Sequence, residues 1–477
     1  MNTPSPSLGR RLLAAALLFT LAASASADQV KLNAELAKPV LKAGLKQTTY
    51  LKVGLTGFEL AGDSKRPPVN IAIVLDKSGS MQGEKIRQAR EAAKMAIGRL
   101  NANDIVSVVS YDSTVNVLTP ATKVTDKALI NSQIDRIQAN GSTALFGGVS
   151  KGAAEIRKFF DPKRVNRIFL LSDGQANVGP QSPRELGNLG ASLAKEGISV
   201  TTLGLGLGYN EDLMTQLAMK SDGSHSFIEE PAQLTKIFNE DFGEALQVVA
   251  QKVVVKITCR EGVRPVRTLG RDADIAGQTV VTTLNQIYSG QEQFILLEVE
   301  IPATSSGAVR DIATVNLGYL NMETRVDDRL SSSVAARFTS SDSEIAKAVS
   351  TEVMVASISQ IAVENNKKAT ALRDQGRVEE ARKLLLSNGA FLGENADRYN
   401  SDFLRSYRAL NDFSAENLDE AKWNANRKQM RYEQQAIQQG KFQLRSRSVA
   451  PQSQSSARQV QQRPIPVQQS ESPAKKQ

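Results

Sequence analysis

Two short apolar runs, each closing on a carboxylate, most constrain how this chain can fold. Asn70-Ile71-Ala72-Ile73-Val74-Leu75 runs into Asp76, and Ile168-Phe169-Leu170-Leu171 runs into Ser172-Asp173. Continuous apolar runs of this length, rich in branched residues, are the pattern of central strands in a parallel sheet covered on both faces. The first is followed by Gln82 to Arg99, where Ile86, Ala89, Ala93 and Ile97 recur at helical spacing. Strands alternating with such helices predict an α/β fold with a doubly wound, mostly parallel sheet, whose ligands bind at the carboxyl ends of the strands. Both carboxylates fall on strand-to-helix loops at that edge.

The first loop carries more than one oxygen. In Asp76-Lys77-Ser78-Gly79-Ser80 a carboxylate and two hydroxyls alternate, which is half a cage for a hard divalent cation. Asp, Ser and Gly are also ordinary turn and helix-cap residues, so the pentad alone leaves a helix N-cap open as the other reading. Asn140-Gly141-Ser142-Thr143-Ala144-Leu145 adds a hydroxyl-bearing loop before a further helix, and Asp173 supplies a second carboxylate.

In these stretches the chain resembles a von Willebrand factor type A domain. The metal-ion-dependent adhesion site of that family is built from D-x-S-x-S, a downstream Thr and a downstream Asp. The resemblance covers residues 68–250 and takes the three pieces in the family's order. It implies that Asp76, Ser78, Ser80, Thr143 and Asp173 hold a metal, with Ser142 as the alternative to Thr143. The stretch Ser172-Asp173-Gly174-Gln175-Ala176-Asn177-Val178-Gly179 looks most like bacterial secreted members of the family.

Hydroxyls are neutral ligands and only two carboxylates serve the site, so much of a bound cation's charge stays uncompensated and one coordination position is open. Such a metal attracts an acidic side chain from elsewhere. The expected function is therefore metal-dependent binding of a protein partner that offers Glu or Asp, as the resembling family does. Small hydroxyl ligands favour Mg2+, with Ca2+ and Mn2+ as alternatives. Lys77 lies between two ligands and is expected to point away from the ion.

An enzymatic reading finds little to work with. The chain has one His and one Cys. His225 reads as a surface or strand-edge residue and Cys259 as a half-buried strand residue. Ser192 and Lys195 match S-x-x-K without the motifs that accompany it in β-lactamases, and a helix explains them. Gly204, Gly206 and Gly208 have the spacing G-x-G-x-G, not the dinucleotide fingerprint, and read as the extended end of a strand. The expectation is a protein that is not an enzyme. Metal-assisted hydrolysis is the least supported reading, because nothing beside Asp76 is suited to activating water.

Arg10-Arg11 followed by the uncharged stretch Leu12 to Ala27, ending Ala25-Ser26-Ala27, has the three parts of a secretory signal peptide cleaved after Ala27. The expected location is periplasmic or secreted. The most apolar later stretch, Ile345 to Val363, carries Lys347 and Glu352, and its Ile345, Val349, Val353 and Ala356 mark one helical stripe. It is expected to form an amphipathic helix, not a membrane span. A single cysteine allows no internal disulfide, so burial alone must supply the stability.

The remaining pattern gives the domain plan. Val30 to Leu36 and Thr48 to Gly57 read as strands, as do the alternating runs around Ile295 to Ile301 and Ala313 to Tyr319. Two or three N-terminal strands would leave an apolar face open. Residues 28–67 and 251–340 are therefore expected to complete one β-sandwich, with the α/β domain (68–250) inserted between them. A helical region follows (341–440), in which residues 366–386 resemble one tetratricopeptide hairpin. Residues 441–477, rich in Gln, Ser and Pro, are expected to be disordered.

That tail carries seven Lys and Arg against one Glu. With two Arg in the leader it accounts for all but one of the nine net positive charges. The alkaline balance therefore implies no nucleic-acid groove. It allows contact of the tail with anionic envelope components. An assembly or chaperone-like scaffold acting through the helical C-terminus is the alternative to the adhesive function.

Overall fold

A computed structural model describes residues 29–60 and 66–440. The expected leader and basic tail lie outside the described residues. The chain opens with β1 (Lys31–Leu36), β2 (Val40–Lys42) and β3 (Gln47–Thr56), then enters an α/β layer.

That layer contains β4 (Val69–Asp76), α1 (Glu84–Arg99), β5 (Ile105–Tyr111), β6 (Val115–Lys123), α2 (Lys127–Asp135) and α3 (Leu145–Arg157). It continues with β7 (Val165–Ser172), α4 (Pro183–Lys195), β8 (Ile198–Leu205), α5 (Glu211–Lys220), β9 (His225–Ile228) and α6 (Leu234–Ala245). The strand order is β6-β5-β4-β7-β8-β9. All neighbours are parallel except β6, which runs antiparallel to β5 at the edge.

Every residue of β4, β5, β7 and β8 is buried, as the continuous apolar runs require. Alternation within β4 serves both faces: Ile71, Ile73 and Leu75 pack with α1 and α6, while Ala72 and Val74 pack with α3. After β4 the chain moves to one side, to β5, and later returns on the other side as β7. A crevice opens at such a reversal, at the carboxyl ends of the strands.

Seven strands follow: β10 (Val248–Cys259), β11 (Arg264–Leu269), β12 (Asp274–Ala276), β13 (Thr279–Tyr288), β14 (Glu292–Ile301), β15 (Val309–Asn321) and β16 (Asp327–Thr339). They form two sheets, β1-β3-β14-β11 and β12-β13-β10-β15-β16-β2. The strands before the α/β layer and those after it thus complete the same two sheets: β3 lies between β1 and β14, and β2 pairs with β16. Leu51, Val53 and Leu55 meet Ile295, Leu297, Val255 and Val315 in one core between them. The α/β layer rests on this sandwich near the amino end of β7. There the fully buried Arg167 donates to Gln286 Oε1 and Tyr288 Oη.

The C-terminal part is helical: α7 (Asp342–Lys347), α8 (Thr351–Asp374), α9 (Val378–Arg398), α10 (Asp402–Glu416) and α11 (Glu420–Gln438). Two expectations are corrected. The stripe from Ile345 to Val363 is not one helix, because the chain breaks after α7 and Ser350 caps α8 by accepting from Val353 N. The hairpin around residues 366–386 exists, turning at Gly376 with φ +79°, but its helices are longer than the repeat suggested. α10 and α11 join them around Ile358, Leu392, Leu404, Tyr407 and Ile437. Among the described residues, no helix is long and apolar enough to cross a membrane.

Candidate metal centre

Asp76 is the last residue of β4 and is fully buried. Its Oδ1 accepts from Ser78 N at 2.8 Å and its Oδ2 from Ser172 Oγ at 2.6 Å. Both bonds hold the carboxylate at the strand end. The chain then makes a single 3-10 turn, Gly79–Met81, which brings Ser78 Oγ and Ser80 Oγ to 3.2 Å of each other. Ser78 makes no side-chain cap to this turn, and α1 starts after Gly83. The helix-cap reading of the pentad therefore does not describe the structure.

Across the crevice, Asp173 follows β7 and is also buried. Its Oδ1 accepts from Ser80 Oγ at 2.7 Å, and its Oδ2 meets Lys85 Nζ at 2.5 Å. The third loop is tied to both others. Gly79 N donates to Gly141 O at 2.9 Å, Thr143 N donates to Asn177 Oδ1 at 2.7 Å, and Asn177 N returns a bond to Thr143 O at 3.1 Å.

Gly174 shows how closely the three hydroxyls gather. A Cβ placed there would lie 3.0 Å from Thr143 Oγ1, 3.3 Å from Ser80 Oγ and 3.6 Å from Ser78 Oγ. A space the size of one methyl group thus touches all three hydroxyls, with Asp173 adjacent in sequence. Thr143 is the hydroxyl that reaches it. The neighbouring Ser142 is anchored elsewhere, its N donating to Ser113 Oγ at 2.9 Å.

The three atoms nearest this cradle are all hydroxyl oxygens, a donor type that suits a hard cation. Among the described residues, no three His, Cys, Asp or Glu side chains gather as a metal group. A site built on two carboxylates and three neutral hydroxyls does not meet that pattern. Burial pushes the Asp76 carboxyl up to about 6, against the hydrogen bonds from Ser172 and Ser78, and the nearby charge of Asp173 adds to the rise. Among the described residues, no ion pair joins Asp76 to a Lys or Arg; its partners are Ser78 N and Ser172 Oγ.

Lys77 does turn away from the crevice, pairing with Asp112. The ammonium that reaches the site belongs to Lys85, on the first turn of α1, and sequence reasoning passed over it. Ser172 and Asn177 were likewise missed as orienting groups, although both stand within the stretch around Asp173.

Residues set aside as non-catalytic are placed as follows. His225 begins the edge strand β9 but is buried, not at the surface; it contacts Thr202 Oγ1 through Nδ1 at 2.9 Å and Tyr209 Oη through Nε2 at 3.2 Å. Burial, with the charge of Lys428 second, lowers its pKa to about 3. Cys259 is fully buried rather than half-buried, and burial pushes its thiol up to about 11. Ser192 and Lys195 lie on α4. Gly204 is in β8, where a Cβ would strike the Tyr209 ring at 2.2 Å; Gly206 and Gly208 belong to the loop after it, and a Cβ on Gly208 would lie 2.9 Å from Asp173 O.

Residues 70–240, from β4 into α6, match the family model of the von Willebrand factor type A domain. The chain contains a von Willebrand factor type A domain. The fold of nearly the whole chain is similar to that of a von Willebrand factor type A protein from Catenulispora acidiphila, with a TM-score of 0.68 at 16% identity, covering 88% of this chain and 99% of that one. This likeness shows the fold alone. In sequence, the chain is 30% identical over 217 residues to the uncharacterized protein YfbK of Escherichia coli, covering 44% of this chain and 37% of YfbK. It is 35% identical over 178 residues to the uncharacterized protein sll0103 of Synechocystis, covering 37% of this chain and 42% of sll0103. The matches therefore span less than half the length of these relatives. Type A domains commonly mediate protein–protein interaction.

Proposed function

We propose that this protein is a metal-dependent protein-binding module of the cell envelope. Asp76, Ser78, Ser80, Thr143 and Asp173 would hold a divalent cation, with Mg2+ favoured, at the carboxyl edge of the type A sheet. The observation that carries this reading is the convergence of three hydroxyls on the Gly174 cradle between two buried carboxylates. The cation supplies a Lewis-acidic charge at that edge. The chain's own contribution is geometric and electrostatic: Ser172 and Ser78 fix Asp76, Asn177 fixes the Thr143 loop, and no His or Cys stands at the site to drive a reaction. An incoming Glu or Asp of a partner protein would complete the coordination. The signal-like residues 1–27 support export to a periplasm or beyond, and the basic residues 441–477 are suited to anionic envelope components.

A second reading, an assembly or chaperone-like scaffold acting through the helical region, has one observation in its favour. α11 grips the loop beside the cation site, with Asn424 Nδ2 donating to Leu207 O at 3.1 Å and Lys428 Nζ to Tyr209 O at 2.9 Å. A crosslinking pull-down from envelope extract separates the two. The adhesive reading expects a captured partner that is lost both with chelator and with Asp76→Ala. Capture unchanged by both would overturn it in favour of the scaffold.

A further inference from the structure

Away from the Asp76 crevice, a cleft of about 680 Å³ lies between α4 and α5 of the type A domain and α8 and α11 of the helical region. That volume is in the range of ligand clefts. Its walls carry Arg184, Lys220, Lys367 and Arg431 against one carboxylate, Asp212. Asp212 is already committed, meeting Arg427 at 2.5 Å and Arg431 at 2.9 Å. Lys220 has a partner in Asp272 at 2.8 Å. Among the described residues, no ion pair joins Lys367 or Arg184 to a carboxylate. Lys367 donates only to the amide oxygen of Gln438, at 2.8 Å. Burial, with the charge of Arg431 second, lowers the pKa of its ammonium. The charges of Asp272 and Glu364 act on it from a distance without an ion-pair contact, so a partly desolvated ammonium is left, at a cost, with no direct carboxylate partner, and an arriving anion offsets that cost.

The rest of the lining narrows the class of anion. Phosphate sites draw on free backbone N–H groups at a helix start. Here the start of α4 is closed by its own capping box, in which Ser182 and Glu185 exchange bonds and Glu185 adds a negative charge. The lining holds no aromatic ring on which a sugar or base would stack. It holds side-chain amides instead, among them Gln435 in the floor, whose carbonyl oxygen has no hydrogen-bond partner. Gln435 Nε2 donates to Gly223 O at 3.4 Å, which leaves the carbonyl oxygen as the group open to an N–H donor. We propose that the cleft docks an acidic peptide segment of a partner protein, a Glu or Asp carboxylate pairing with Lys367 and Arg184 while the glutamine amides bond its backbone.

The test uses the full chain in chelator, so that the metal centre plays no part, with a fluorescein-labelled tetraglutamate peptide followed by fluorescence anisotropy at low ionic strength. Saturable binding is expected, weakened ~10-fold by Lys367→Met and ~3-fold by Arg184→Ala, the scale of one lost charge-assisted contact. Asp76→Ala and the remote Lys163→Met should leave it unchanged. Arg184 is exposed, so its variant reports on the cleft even where Lys367→Met alters the melting curve. No peptide binding, binding indifferent to both cleft variants, or equal weakening by Lys163→Met would overturn the proposal. So would a tetragalacturonate that binds with the same variant sensitivity when the peptide does not. Because chelator is present throughout, failure here leaves the metal-dependent reading standing, and failure of that reading leaves this one standing.

Discussion

Two clusters of buried charge flank the loop after β8, and they are built on opposite plans. On one side, Asp76 and Asp173 share three hydroxyls and a single ammonium, Lys85. On the other, Glu211, Asp212 and Asp374 face Arg427, Lys428 and Arg431, with Lys428 also 4.7 Å from the centroid of the Tyr209 ring. The second cluster is balanced charge for charge and ties α11 to α5. The first is left acidic, with two carboxylates against one ammonium, and burial, with the charge of Asp173 adding to it, raises the pKa of Asp76. A closed ion network fastens parts of a fold together, whereas an unbalanced oxygen cradle is what the proposed cation would need.

The largest effect should come from Asp76 in the acidic cluster. Asp76→Ala should lower Mg2+ affinity by ~100-fold or more, beyond the loss typical of an orienting residue, as read by titration calorimetry. The isosteric Asp76→Asn should also lose the cation while melting no lower than the parent in chelator, since it removes a charge that burial disfavours. If Asp76→Asn unfolds the protein, Asp76 is a structural member like Glu211 and the contrast between the clusters fails.

Next in size is the balanced cluster. Lys428→Ala removes one member of an ion pair whose side chains are 2% and 7% exposed. It should destabilise the fold by about 3 kcal/mol, the cost of leaving a buried charge short of its partner. Denaturant unfolding measures this. The variant should keep Mg2+ binding if the two clusters are as independent as their hydrogen bonds suggest.

His225 gives a pH handle on the same side of the loop. Its folded pKa, about 3, lies below the unfolded value near 6.5. The native state therefore binds fewer protons than the unfolded chain between those values. The stability this contributes is present above pH 6.5 and declines as pH falls toward 3. At pH 4 the loss should reach about 3 kcal/mol, and His225→Gln should flatten that part of the stability profile. A profile identical in parent and variant would show that another group governs acid unfolding.

The contrast between these clusters also explains what was legible in the sequence. The gathering of Asp76, Thr143 and Asp173 was readable because these residues follow or adjoin strand ends, where a local pattern of apolar run and oxygen fixes position, and the parallel sheet then brings three such loops to one edge. The two sandwich sheets were readable from period-two alternation. The balanced cluster was not, because Glu211 and Lys428 are 217 residues apart, and no periodicity joins two distant helices. His225 reads from the sequence as a surface or strand-edge residue; it does begin the edge strand, but its burial was hidden for the same reason, since it depends on Tyr209 folding back over Gly204 and on α11 covering both. The break before α8 was hidden because the apolar spacing from Ile345 to Val353 stays helical across it, while the Ser350 cap competes with helix continuation only locally.

Lys85 is the finest test of the comparison, because it is the one ammonium in the acidic cluster. It meets Oδ2 of Asp173 while Ser80 Oγ donates to Oδ1. A divalent cation drawing on Asp173 must then compete with a tethered positive charge and bind beside it. Lys85→Met keeps the aliphatic stem along α1 and removes that charge. It should raise Mg2+ affinity by about tenfold, ~1.4 kcal/mol, with the larger gain at low ionic strength where a residual like charge is least screened. Weaker binding in the variant would mean that Lys85 instead holds Asp173 in the geometry the cation needs, and the acidic cluster would then be pre-assembled by an ion pair after all, closer in plan to the cluster around Lys428.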